Sequence, residues 1–215
     1  MLKKNKKLII LTSIVTLLPV LLGLVLWNQL PDRIATHFDI NGVADGWSSK
    51  PFAVFGLPAL LLVFHLICTF ATAADPRRQN ISDKMYRLVL WICPIVSLIV
   101  NSSAYLIAIG KEIDITSVCI ILIGVMFIVI GNYLPKCRQN YTMGIKLPWT
   151  LADEENWNKT HRMAGWLWMA SGAIYLAMAV VGKMSLWLFF GTILFTVLVP
   201  TVYSFLLHIK KEQTE

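Results

Sequence analysis

Six apolar runs, near 8–28, 51–73, 88–109, 115–134, 164–182 and 185–208, fill most of the chain, and none contains Lys, Arg, Asp or Glu. Each is about 19 to 25 residues long, and a hydrocarbon core about 30 Å thick needs roughly 20 helical residues to cross it. Backbone polar groups in lipid must be paired within their own segment, so runs of this length are helices. The pattern predicts an all-α membrane protein with six transmembrane helices. An N-terminal three-helix half over 1–110 and a second three-helix half over 111–215 share them. Pro19, Pro58, Pro94 and Pro200 fall in four different runs. Each removes a backbone bond and predicts a bend.

Polar residues collect in two long connections, 29–50 and 135–163. In the first, Asn41-Gly42 and Asp45-Gly46 are turn pairs. They predict a small turn or hairpin packed on the outer face. In the second, Thr150 and Asp153 have capping-box spacing, followed by Glu154 and Glu155 in a first turn that favours negative charge. A helix from about 151 is expected, lying at the membrane interface or running on into the fifth span. Trp157 and His161 are four apart and share its face. A short turn is expected over Gly182–Ser185 before the last span.

Charge orients this frame. Fifteen of the nineteen Lys and Arg residues lie in the N-terminal tail, the 74–87 and 135–163 loops and the C-terminal tail. Only Arg33, Lys50, Lys111 and Lys183 lie in the alternate set. The positive-inside rule then places both termini and the 135–163 loop in the cytoplasm and the 29–50 loop outside. The basic balance is thus a topology signal and predicts contact with the lipid bilayer, with no direct nucleic-acid partner. The first run follows a basic KKNKK stretch but ends in LWNQLPD without a small-x-small cleavage site, so it reads as a retained helix. Four scattered cysteines show neither disulfide nor metal spacing, and no cofactor or metal is expected.

Three sets of residues are candidates for function. His37, Asp39, Asp45, Trp47 and Lys50 form an outer-loop set. It reads either as turn-fixing hydrogen bonds, as a surface that recognises a peptide, or as an acid–base or metal cluster; zinc would want three protein ligands. His65 is the one strongly ionisable group near the bilayer centre, with Asn101, Ser102 and Ser103 as the obvious partners at similar depth. Asn132, Asn140, Trp149, Thr150, Trp157, His161 and Arg162 form a cytoplasmic set, readable as a docking surface or as an interfacial belt with a snorkelling arginine. No nucleophile–base pair is evident, so no catalytic residue is assigned.

The stretch LPDRIATHFDINGVADGWSSK resembles the N-terminal domain of unknown function that often precedes an SdpI domain, through Leu30, Pro31, His37, Phe38, Gly42, Asp45, Gly46, Trp47 and Lys50. GNYLPKCRQNYTMGIKLPWTLADEENWNKTHRMAG is similar to the SdpI motif itself, through Gly131, Asn132, Pro135, Asn140, Gly144, Pro148, Trp149, Thr150, Trp157, Thr160, His161, Arg162 and Gly165. Cys137 and Gln139 depart from that pattern. The resemblance implies a multi-pass protein of the bacterial cell membrane. It also implies immunity to a secreted toxic peptide outside, with sensing through a small repressor protein held at the membrane inside.

A second reading comes from the residues alone. Asn28-Gln29-Leu30-Pro31 and Asn132-Tyr133-Leu134-Pro135 open the two long loops alike, and helix order matches in both halves. Three helices per half is the layout of a 3+3 inverted repeat, as in many transporters. A small-substrate or lipid transporter or exporter is therefore the alternative, and a membrane enzyme with an outer-face site the third.

Overall fold

The computed structural model describes residues 1–182 and 185–213. Six of its helices are long and apolar enough to cross a membrane: Leu2–Val25, Phe52–Ala73, Asp83–Ala108, Ile115–Lys136, Glu154–Val181 and Leu186–Glu212. The regular α-helices are α1 (Leu2–Val25), α2 (Leu57–Ala73), α3 (Asp83–Ala108), α4 (Ile115–Tyr133), α5 (Pro148–Ala152), α6 (Glu154–Val181) and α7 (Leu186–Glu212). The expected hairpin is present as β1 (Arg33–Phe38) and β2 (Ala44–Ser49). Lys183 and Met184 of the expected turn lie outside the described residues. The chain divides into two units, residues 1–73 with 86–119 and residues 74–85 with 120–215.

In the first unit, the hairpin sits on an apolar cluster of Leu30, Ile34, Ala53, Val54 and Tyr105. The helical run that includes α2 opens with a wide turn, Phe52–Gly56, in which Leu57 N–H reaches back five residues to the Phe52 carbonyl. The next donor in that pattern would be residue 58, a proline without N–H. The Ala53 carbonyl is therefore left over, and the Tyr105 hydroxyl donates to it at 3.0 Å.

A chain of side-chain bonds ties α1, α2 and α3 together. His65 Nε2 meets Thr12 Oγ1 at 3.1 Å, Thr16 donates to the Thr12 carbonyl at 2.8 Å, Ser97 to the Thr16 carbonyl at 2.7 Å, and Asn101 to Ser97 Oγ at 3.2 Å. The expected partnership of His65 with Asn101 is therefore corrected. His65 is fully buried, but its partner is Thr12 on α1, while Asn101 turns along its own helix to Ser97. Ser102 is half-buried. Thr12 and Thr16, one turn apart, were the overlooked signal of a polar stripe facing this interior.

In the second unit, α4 and α6 run antiparallel and meet backbone to backbone. A Cβ on Gly131 would lie 2.8 Å from the Gly165 carbonyl, and one on Gly165 would lie 2.7 Å from the Gly131 carbonyl. Seven residues along, a Cβ on Gly172 would lie 2.5 Å from the Gly124 carbonyl. Small residues at an interface let membrane helices approach this closely. Farther along, Ile120, Tyr175 and Met178 form the cluster, with Tyr175 hydrogen-bonded to Thr192 on α7 at 2.6 Å.

Candidate functional site

The hairpin is fixed by its turn and its inner face. Asp39 Oδ1 accepts from the N–H groups of Asn41 and Val43 at 2.9 and 2.8 Å, and Gly42 takes φ 77°, which a side chain would oppose. Ile34 points inward with no exposure. Thr116, in the same unit, donates to the Ile40 carbonyl. Strand pairing is Arg33 with Ser49, Ile34 with Ser48 and Ala35 with Trp47, and the register shifts around His37.

This frame sorts the five outer-loop candidates. His37 lies opposite Gly46, and its ring meets the neighbouring Asp45 carboxylate, Nδ1 to Oδ1 2.5 Å, with side chains 74% and 48% exposed. Trp47 is 49% exposed on the same hairpin. Asp39 is spent on the turn. Lys50 is turned inward, with its side chain 15% exposed; its ammonium donates to the Trp27 carbonyl at 3.3 Å and lies 5.3 Å above that indole ring. A lysine stem packs along apolar surface readily, so Lys50 anchors the hairpin's base and does not join the exposed set. His37, Asp45 and Trp47 remain as the side chains that a ligand would meet.

The segment 134–161 forms a second centre in the other unit. Asn140 is fully buried. Its Oδ1 accepts from Thr142 and Met143 N–H at 2.9 and 2.7 Å, and its amide donates to the Arg138 carbonyl at 2.8 Å. Trp157 is fully buried, donates to the Cys137 carbonyl at 2.6 Å and stacks on His161 at 4.0 Å. His161 is pinned through both ring nitrogens: Nδ1 donates to the Trp157 carbonyl at 2.8 Å, and Nε2 accepts from Ile145 N–H at 2.9 Å. That pairing needs the neutral ring with its proton on Nδ1.

Three residues outside the expected set complete this knot. The Asp75 carboxylate, from the 74–85 connection, accepts from Arg77 N–H, Tyr141 N–H and the Thr142 hydroxyl. The Arg77 guanidinium reaches Gln139 Oε1 and lies 4.9 Å over the Tyr141 ring. Gln139 donates on to the carbonyls of Thr150 and Leu151 at 2.8 and 3.0 Å. Asp75 could be suspected from its turn-forming Asp-Pro-Arg context, but apart from Arg77 its partners, Tyr141 and Thr142, lie more than sixty residues away and leave no local signal.

The expected cytoplasmic docking surface is corrected accordingly. Asn140, Thr150, Trp157 and His161 are buried and consumed by internal bonds. Trp149 is half-buried, donating to Ser204 at 2.9 Å and stacked on His208. Only Asn132 and Arg162 are exposed, and Lys136 bonds Asn132 at 3.1 Å. The physical reason is that a loop this polar, packed between helices, must satisfy its own backbone, and these side chains supply the partners. The expected helix start is also displaced. Thr150 turns back to accept from Leu147 N–H, capping the start of a short separate helix, α5, that stops at Ala152. Asp153 then caps α6, accepting from Glu155 and Asn156 N–H.

Cys137 is buried, and burial pushes its thiol up to about 11; the Asn140 bond opposes this and the Asp75 charge adds to it. Asp153 is held below the usual carboxylate range: partial burial acts upward but is outweighed by the Lys211 ammonium at 3.2 Å and the cap bonds. Among the described residues, no group of three or more His, Cys, Asp or Glu is placed to hold a metal ion.

The model of the SdpI/YfhL protein family matches residues 136–204, and that of a domain of unknown function (DUF1648) matches residues 14–62. Across 208 residues the chain is 25% identical to Immunity protein SdpI of Bacillus subtilis (strain 168), covering 94% of this chain and 95% of that protein. The chain is thus similar to the SdpI family in both of its long connections and along nearly its whole length. With six spans, it is a multi-pass bacterial membrane protein. The DUF1648 match contains the whole hairpin, with His37, Asp45 and Trp47. The SdpI/YfhL match takes in the knot residues Cys137, Asn140, Trp157 and His161. No solved structure matches the chain.

Proposed function

We propose that this protein gives its cell immunity to a secreted peptide toxin, meeting the peptide at the exposed face of the β1–β2 hairpin. The observation that carries the reading is the similarity to an immunity protein along nearly the full length of both chains. The charge split supports placing the hairpin outside, where a secreted peptide arrives without crossing the bilayer. Trp47 offers the apolar anchor, and the His37–Asp45 pair offers polar contacts beside it; tryptophan is a favoured anchor at recognition surfaces. On the cytoplasmic side, the finer reading is that a small repressor protein is held at the membrane while toxin is present. Arg162 and the rim of the knot are the side chains available to it, since the knot's interior is closed.

The test is toxin survival and reporter induction in the same cells, with membrane abundance checked by blotting. Trp47→Ala and His37→Ala are expected to lose protection, and Arg162→Ala to lose induction while protection persists. If hairpin and Arg162 variants lose both outputs equally at normal abundance, a single transport route becomes the better account.

A further inference from the structure

A cavity of about 250 Å³ opens between the start of α6 and the end of α7, walled by Asp153, Glu155, Lys159, Leu207, Lys210 and Lys211. Three ammonium groups face two carboxylates, so the cavity carries one net positive charge. Within it, Lys159 pairs with Glu155 at 2.6 Å and Lys211 with Asp153 at 3.2 Å. These pairs are at the surface and rearrange at little cost, because solvent screens exposed ion pairs. The floor is firm: Asn156 donates to the Ser204 carbonyl at 2.8 Å, and Asp153 is fixed as the α6 cap.

The surroundings say what kind of molecule fits. One turn before the cavity, α7 exposes Phe205 and Leu206, 44% and 59% accessible, and Val202 above them is 55% accessible. Such an apolar strip on a helix of membrane-spanning length suits acyl chains. Val202, Leu206 and Lys210 are each four apart on α7, so the strip continues on one face to the cavity's lysine. We propose that this cavity binds the headgroup of an anionic phospholipid, its acyl chains lying along the Val202–Phe205–Leu206 strip. A phosphodiester of charge −1 neutralises the net charge of the cavity. Headgroup hydroxyls, as in phosphatidylglycerol, give the Asp153 and Glu155 carboxylates donors when their lysines turn to the phosphate. Basic pockets at the ends of membrane helices recognise lipid headgroups in this way.

The probe is phosphatidylglycerol added to detergent-purified full-length protein. Retained lipid is measured by native mass spectrometry against phosphatidylcholine, with glycerol 1-phosphate as a soluble control. Wild type should retain phosphatidylglycerol in preference to phosphatidylcholine. Lys159→Gln should cut that preference about fivefold, since a lysine near an anionic headgroup is worth about 1 kcal/mol. A Lys159→Arg variant should keep most of it. The far-ultraviolet circular dichroism of Lys159→Gln should match wild type, which separates lost binding from lost fold. Equal retention of both lipids by wild type would overturn the proposal, as would an unchanged preference in Lys159→Gln. Saturation by glycerol 1-phosphate without acyl chains would also overturn it, pointing to a soluble organophosphate.

Discussion

Tyr105, Gly144 and Cys137 each do a job that residue type alone does not announce. A wide helical turn before Pro58 strands the Ala53 carbonyl, and the Tyr105 hydroxyl is its donor. Removing one partner of a buried bond costs about 1–3 kcal/mol, so Tyr105→Phe should destabilise by that order with helicity retained, as read by thermal unfolding in detergent. Gly144 has φ 102°, and a Cβ there would run into the imidazole of His161. Gly144→Ala combines backbone strain, on the order of 1–3 kcal/mol, with loss of the His161 pin, and should lower membrane abundance measured by blotting. Cys137 sits where the family resemblance suggests another residue, yet its thiol is buried with a pKa raised to about 11. It stays protonated at neutral pH, so maleimide should spare it in folded protein and modify it after denaturation; the thiolate is the reactive form. Because the folded state favours the protonated thiol, its contribution to stability is full below the ordinary thiol pKa near 9 and falls as pH rises towards 11.

The helices themselves were plain in the sequence, because charge-free runs of spanning length admit no other structure in lipid. Their contacts were less so. The hairpin was legible from its Asn-Gly and Asp-Gly pairs, whereas the pairing of His65 required knowing that α1 turns Thr12 towards α2. A double-mutant cycle of His65→Leu and Thr12→Val should give a coupling near 0.6 kcal/mol, the average for membrane side-chain bonds, while His65→Leu with Asn101→Leu should be additive. The glycine seam was equally hidden: Gly124, Gly131, Gly165 and Gly172 look like incidental small residues until α4 is laid against α6. Gly172→Val should separate these helices and cost about 1–3 kcal/mol as overpacking, checked by thermal unfolding, whereas Gly191→Val should be tolerated, since nothing lies within 4 Å of its would-be Cβ. The buried knot eluded sequence reading for the opposite reason. Aromatic and cationic residues in a loop resemble a docking surface, and only the three-dimensional bonds of Trp157 and His161 show them spent inside.

At the scale of the molecule, the account rests on which side of the membrane each centre faces. The charge split predicts the hairpin outside and the 134–161 knot inside. On a cysteine-free background, an impermeant thiol reagent should label Asn41→Cys in intact cells and Lys146→Cys only after permeabilisation; both native side chains are exposed, so burial does not mask either. The reverse pattern would invert the orientation. The measurement that bears most directly on the central claim is photo-crosslinking in intact, protected cells. A benzophenone side chain would replace Trp47 or, as control, Arg162, and the secreted toxin peptide would be added from outside. The account predicts a peptide adduct at position 47, diminished by excess unlabelled peptide, and none at position 162. Protected cells that give no adduct at 47, or an adduct only at 162, would contradict it.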